Sequence, residues 1–421
     1  MYTFEKGFEV FDRAKKVIPK GIYGHLGINV HWPQESFPPF SGKAEGAYFW
    51  DTDGNRYLDF MCAYGPSILG YCDPEVDNAG IAEIRKGNTI SRPSHIMVDF
   101  AEKLVDTIDS ADWALFAKNG GDVTSLAVMV SRAATGRKKV ILVNDGYHGV
   151  APWAQKKGVN KDAWKMEQAN NIYVEWNDVK QVEKAIAENK GEIACFISTP
   201  YHHPSFFAQS MPAKGYWKKI RKLCTNNGIV LAIDDVRCGF RLDIAGSDKY
   251  FGFKADLICY CKALANGWPV SALLGTDALR SACEDVFHTG SYWMQSAPFA
   301  AGIACIEKLK KLDAPKYMHY IGKKYCDGLV ELAKRHGYEM EVTGDPSLFY
   351  LILKQHPGKK WSFFNDYDRA LQIAWTAENS LRGVYLTNHH NHFINCAMTE
   401  NDIDFALDVA DQAFKAVKQK F

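Results

Sequence analysis

The chain has 421 residues, enough at roughly 100–200 residues per domain for two or three folded units and too long for a disulfide-stapled mini-protein. Its 50 Lys and Arg against 49 Asp and Glu leave a net charge of +1, so no long-range field draws it to nucleic acid or to an anionic membrane surface. Hydrophobic residues at 47% and aromatics at 13%, with no polar low-complexity tract, exclude wholesale disorder.

The N-terminus alternates charged and apolar residues after Met1-Tyr2-Thr3-Phe4 and lacks the apolar core of a secretory signal. Through residue 60, Pro19, Gly21, Pro33, Pro38 and Pro39 interrupt any long element, which predicts an arm packed on something else. Gly46-Ala47-Tyr48-Phe49-Trp50-Asp51 then reads as a hairpin strand. Between about residues 110 and 275 short apolar runs alternate with helically spaced stretches. The runs Val140–Val143, Ile193–Ile197, Ile229–Ile233 and Leu257–Tyr260 are continuous rather than alternating, so they predict parallel strands covered on both faces. Val179, Val182 and Ile186, and then Trp217, Ile220 and Cys224, have the spacing of the crossover helices. A long helical pattern follows Pro298, Leu348–Leu353 reads as a strand, and Thr399 caps a last helix bearing Ile403, Leu407, Ala410, Phe414 and Val417 on one stripe. The organisation predicted is an N-terminal arm and hairpin over 1–60, a large domain over 61–300 and a small α/β domain over 301–421. No run approaches the roughly 18 apolar residues of a membrane span. The eleven cysteines include no C-x-x-C pair, so a reduced, cytoplasmic protein is expected.

Three features fall at strand ends of the predicted sheet. Asn119-Gly120-Gly121 stands where a strand yields to a helix, and backbone N–H groups with little side-chain bulk there make an anion cradle or an ordinary turn. Asp234 and Asp235 end the most apolar strand, where a carboxylate needs a positive partner: a helix cap, Arg237, Arg241 or a ligand. Lys262 stands at the lip of the next strand, 28 residues after Asp234. Together the three satisfy what pyridoxal phosphate requires, namely donors for a phosphate, an acid for a pyridinium nitrogen and an amine for an aldehyde. Neither G-x-G-x-x-G nor G-x-x-x-x-G-K-[ST] occurs, against a nicotinamide-dependent dehydrogenase or a nucleotide triphosphatase.

The stretch Ile233-Asp234-Asp235-Val236-Arg237-Cys238-Gly239-Phe240-Arg241, with Tyr250–Leu257 and Cys261–Val270, resembles the signature of class III pyridoxal phosphate aminotransferases, in the glutamate-1-semialdehyde aminomutase-like branch. Trp50–Asp59, Thr135-Gly136-Arg137, Tyr147-His148-Gly149 and Gly383–Leu386 extend it over most of the chain. The resemblance implies a fold-type I α/β architecture, a large domain with a mostly parallel sheet plus a small C-terminal α/β domain, and pyridoxal 5′-phosphate as cofactor. It makes Lys262 the Schiff-base lysine and Asp234 the partner of the ring nitrogen. Val236 and Tyr147 would pack on the two ring faces, and Asn119, Gly120 and Gly121 would hold the phosphate. Ser291 resembles the residue with which a neighbouring subunit reaches the phosphate, which implies a homodimer with shared sites.

The match departs from the family at substrate positions. Ile18–Gly27 lacks the Arg that holds a substrate carboxylate in the aminomutases, and the Glu-Pro pair usual after the strand Phe196–Thr199 is replaced by Pro200-Tyr201-His202-His203-Pro204. Tyr23, Tyr201, His202, Arg237 and His390 are the candidate substrate residues, with Arg237 either holding a carboxylate or phosphate or pairing with Asp235. The His-rich stretches His202-His203 and His389–His392 have no metal-ligand spacing, and no metal is expected. The function expected is transamination of a small-molecule amino acid or amine. An intramolecular aminomutase or a racemase is the alternative on the same scaffold, and a non-catalytic cofactor-binding homologue is the alternative of another class.

Overall fold

The structure is a computed structural model and describes residues 1–22, 34–155, 165–355 and 366–420. Two compact units divide the chain. One comprises Met1–Asp73, Ser205–Gln209 and Lys316–Phe421, the other Pro74–Pro204 and Ser210–Pro315.

The second unit is built on a seven-stranded sheet. Its strand order is Trp113–Ala117, Ser271–Gly275, Leu257–Tyr260, Val230–Asp234, Ile193–Ser198, Lys139–Val143 and Asn171–Val174. Only Ser271–Gly275 runs antiparallel to its neighbours; the remaining pairs are parallel. The central runs are apolar on both faces because helices cover both, as parallel sheets require. The helix Gly120–Thr135 buries Val123, Ala127 and Val130 against Leu142, Ile197, Leu257 and Leu273. The crossover helices Val179–Glu188 and Tyr216–Asn227 bury Val182 and Ile186, and Trp217, Ile220 and Cys224. Trp113–Ala117 points the same way as the central strands, being antiparallel to the one strand that opposes them. The loops after Ala117, Val143, Ser198, Asp234 and Tyr260 therefore leave the same edge of the sheet.

The first unit holds two smaller sheets. One has the order Ser41–Glu45, Tyr48–Asp51, Arg56–Asp59 and Val384–Tyr385, and the other Glu339–Asp345, Leu348–Lys354 and His392–Phe393. Asp51 fixes the hairpin turn by accepting from the Asp53 and Asn55 backbone and the Tyr57 hydroxyl at 3.0, 2.8 and 2.9 Å. Asp53 in turn accepts from the Lys6 and Gly7 N–H groups at 2.8 and 2.9 Å, which anchors the N-terminal helix Glu5–Ala14. Thr399 and Asp402 cap the helix Glu400–Val417 reciprocally. Among the described residues no helix is long and apolar enough to cross a membrane.

Ile233 is fully buried in the central strand. Ile233→Ala is expected to cost about 2–5 kcal/mol, read as a lower urea midpoint with an unchanged slope.

Candidate active site

Asp234 ends its strand with only 4% of its surface exposed, so its carboxylate depends on donors inside the protein. His148 Nδ1 stands 2.7 Å from Asp234 Oδ2, and the Val236 N–H donates to Oδ1 at 3.2 Å. The histidine is buried, and the Thr124 hydroxyl donates to its carbonyl at 2.6 Å, which ties the Tyr147–Gly149 turn to the neighbouring helix. Nε2 of His148 is buried with no hydrogen-bond partner among the described residues.

The Asn119 cradle lies beside this pair. Asp122 Oδ2 accepts from the Asn119 N–H at 2.8 Å and the Lys118 N–H at 3.3 Å, closing a capping box at the start of Gly120–Thr135. A Cβ on Gly120 would come within 2.9 Å of Val236 Cγ1, and one on Gly149 within 2.6 Å of the Gly121 Cα. Only glycines permit these approaches. They bring the cradle, Val236 and the Tyr147–Gly149 turn together. Tyr147 keeps half of its surface exposed.

Lys262 follows the strand Leu257–Tyr260 and opens the short turn Lys262–Ala265, whose Ala263, Leu264 and Ala265 are buried anchors. Its backbone is left-handed, φ 48°, a conformation that side chains disfavour and that gathers at functional sites. Burial first, and the Arg237 charge second, pull its ammonium pKa down to about 7 against the weaker opposing pull of Cys261 and Asp234. A substantial share of the amine is therefore unprotonated, and nucleophilic, at neutral pH.

The other candidates have separate surroundings. Asp235 accepts from the Ser247 hydroxyl and N–H at 2.6 and 3.1 Å, and burial pushes its pKa up to about 7. Arg237 Nη1 donates to the His203 carbonyl at 2.9 Å and lies 3.1 Å from His203 Nδ1. Tyr201 is fully buried, edge-on to the His203 ring at 5.2 Å. His202 stacks on Trp176 at 5.9 Å. In the first unit His390 is buried, with its ring edge-on to Tyr64 at 5.1 Å. Ser291 is exposed ahead of the helix Ser296–Lys311, and Tyr23 lies outside the described residues. Among the described residues no three His, Cys, Asp or Glu side chains gather into a set that could hold a metal ion.

Two residues beyond the candidates from sequence join the site, His148 and His203. A signal for the first was present: a buried strand-end Asp needs a donor, and His148 sits at the end of a strand of the same predicted sheet. Nothing in the sequence distinguished His203 from His202.

The family model for class-III aminotransferases matches residues 31–399. Aminopentol aminotransferase of Sphingopyxis macrogoltabida is 36% identical over 97% of this chain and 94% of its own length. Glutamate-1-semialdehyde 2,1-aminomutase of Desulforamulus reducens is 28% identical over 99% of both chains. A solved structure of the FumI protein of Sphingopyxis sp. MTA144, in its PLP internal aldimine form, superposes with a TM-score of 0.93 at 35% identity, covering 99% of this chain and 97% of that one. The chain belongs to the class-III aminotransferase family, the family its sequence resembles.

The residues fit pyridoxal 5′-phosphate. The glycines bring the helix start close to Val236 and to the Tyr147–Gly149 turn, a His-backed carboxylate stands one strand from a partly neutral lysine, and the helix start offers backbone N–H groups to an anion. Two outcomes are expected. His148→Leu leaves Asp234 without its side-chain donor and should weaken cofactor binding about tenfold to a hundredfold, the scale of a hydrogen bond to a charged group, measured by equilibrium dialysis. Cofactor capture by the apoprotein should rise through a pH near 7 as Lys262 loses its proton, and Arg237→Met should move that midpoint upward because a cation is removed, as followed by stopped-flow absorbance.

Proposed function

We propose that this chain moves amino groups between a small primary amine or amino acid and an oxo acid, with pyridoxal 5′-phosphate held by Lys262, Asp234, Val236, Tyr147 and Asn119-Gly120-Gly121. The observation that carries this reading is the pairing of a buried, His148-backed carboxylate with an amine pulled down to about pKa 7 at the neighbouring strand end. When bound, the cofactor supplies an electron sink for bonds broken at the substrate carbon. Asp234, oriented by His148, holds the proton on the ring nitrogen. The Gly120 and Gly121 N–H groups bind the phosphate at the helix start, and Val236 and Tyr147 flank the ring. Lys262 would take and return the proton at the substrate carbon, for which a pKa near the working pH is suited. Arg237 and Tyr201 face the substrate.

A homodimer belongs to the same reading, because Ser291 is exposed and stands at the position that the family reserves for the neighbour's site. So does a reducing compartment, since none of the eleven cysteines, all among the described residues, is in a disulfide. The relative named for an aminopentol is the more similar of the two curated proteins, which places amines ahead of amino acids among donors to test. The aminomutase reading stays as the second one, on the similarity of the whole chain to glutamate-1-semialdehyde aminomutases.

The test is an absorbance spectrum of the purified protein and of Lys262→Ala, followed by a panel of amines and amino acids. Transamination predicts a yellow band that the variant lacks, that one donor bleaches, and that an oxo acid restores with release of a new amino acid. A protein that stays colourless with added pyridoxal phosphate would sink the proposal. Isomerised product with no transfer to the oxo acid would replace it with the aminomutase.

A further inference from the structure

The loop after the strand Ile193–Ser198 carries two adjacent histidines with different duties. His202 stacks on Trp176, and its backbone pairs with Ser210 at 3.0 and 2.8 Å, which makes it part of the loop's frame. His203 is 7% exposed and receives Arg237 Nη1 at both its carbonyl and its Nδ1. A guanidinium has only donors. Nδ1 of His203 must therefore accept, and the ring hydrogen must sit on Nε2. Burial first, and the Arg237 charge second, hold the imidazole pKa well below its ordinary value, so the ring is neutral at physiological pH. The Nε2–H so defined is buried with no hydrogen-bond partner among the described residues. A buried donor lacking an acceptor is a standing free-energy cost, which a ligand oxygen would remove. The strands Ile193–Ser198, Val230–Asp234 and Leu257–Tyr260 are parallel neighbours, so the loops that carry His203, Arg237 and Lys262 leave adjacent strand ends on one edge of the sheet, and the Lys262 charge is felt at His203 as the Arg237 charge is at Lys262.

We propose that His203 Nε2–H and the Arg237 guanidinium form a two-donor clamp for an anionic oxygen beside Lys262. The oxygen belongs either to the carboxylate of an amino or oxo acid or to the phenolate of the bound cofactor. The inference rests on the reading of function above and deepens it, giving a binding role to a loop that departs from the family's pattern. His203 acts twice, fixing the guanidinium through Nδ1 and its carbonyl and offering the second donor itself.

The test compares the cofactor-loaded wild type with His203→Leu and His203→Gln. Propionate, which cannot react, is titrated by calorimetry, with propionamide as the uncharged control, and the pH midpoint of the yellow band is recorded. If the oxygen is a carboxylate, His203→Leu weakens propionate binding about tenfold, leaves propionamide unchanged and does not move the midpoint. If it is the phenolate, propionate binding is unchanged and the midpoint rises by about one pH unit, because a donor that favoured the phenolate over the protonated form has gone. Under either source His203→Gln, which keeps an N–H near the Nε2 position, restores most of the loss. A ring that merely packs would not show that rescue. The proposal is overturned if neither quantity moves in His203→Leu, or if the Gln variant is as impaired as the Leu variant. Should His203→Leu not fold, Arg237→Met reads the same two quantities. Propionate binding and the midpoint need no turnover, so a protein that transaminates nothing refutes the functional reading while leaving the clamp to be judged by itself.

Discussion

A carboxylate with 4% of its surface exposed at the end of the central strand organises everything around it. Asp234 must be met by donors, and its side-chain donor is His148, which arrives on a different loop of the same sheet edge. For that loop to come close enough, two backbones touch at Gly121 and Gly149, and Gly149 takes φ 109°. The Thr124 hydroxyl then locks the His148 carbonyl to the helix whose start forms the anion cradle. One demand for charge compensation thus explains two glycines and a threonine that would otherwise read as ordinary turn and helix residues.

The same edge of the sheet carries an electrostatic balance. The Arg237 charge makes Lys262 harder to protonate, and burial lowers the pKa of both groups. For a structural pair this arrangement would be a defect. For a lysine in the proposed Schiff-base role it is useful, because burial and a neighbouring cation lower its pKa together. Arg237 is held by a neutral imidazole and a carbonyl oxygen of His203, acceptors that orient the guanidinium without cancelling its charge. The nearby Asp235, pushed up to about 7 by burial, spends its oxygens on Ser247.

Much of the sheet was legible in the sequence because continuous apolar runs have one physical meaning when helices cover both faces. Leu257–Tyr260 falls where the pattern puts it, Val230–Asp234 is shifted by one residue from the expected run, and Ile193–Ser198 is one residue longer. The Thr399 cap was equally legible, since a reciprocal capping pair is local chemistry. The antiparallel strand Ser271–Gly275 was less so: its apolar residues look the same in either direction, and only its pairing decides. The N-terminal helix Glu5–Ala14 was hidden by its poor apolar run, and it stands because Asp53 holds its first turn. At the site, Asp234, Lys262 and the cradle were readable because strand ends on one sheet edge converge by topology alone.

What the sequence could not carry was tautomer and orientation. His202 and His203 are the same residue side by side, yet one stacks on Trp176 and the other meets a guanidinium. The partner decides the chemistry. A histidine facing a carboxylate, as His148 does, donates through Nδ1, whereas one facing a guanidinium, as His203 does, accepts there and turns its hydrogen outward on Nε2. The two imidazoles therefore leave opposite hydrogen-bonding characters at Nε2, an acceptor on His148 and a donor on His203. That difference follows from which charge stands behind each ring, not from the residue type that both share.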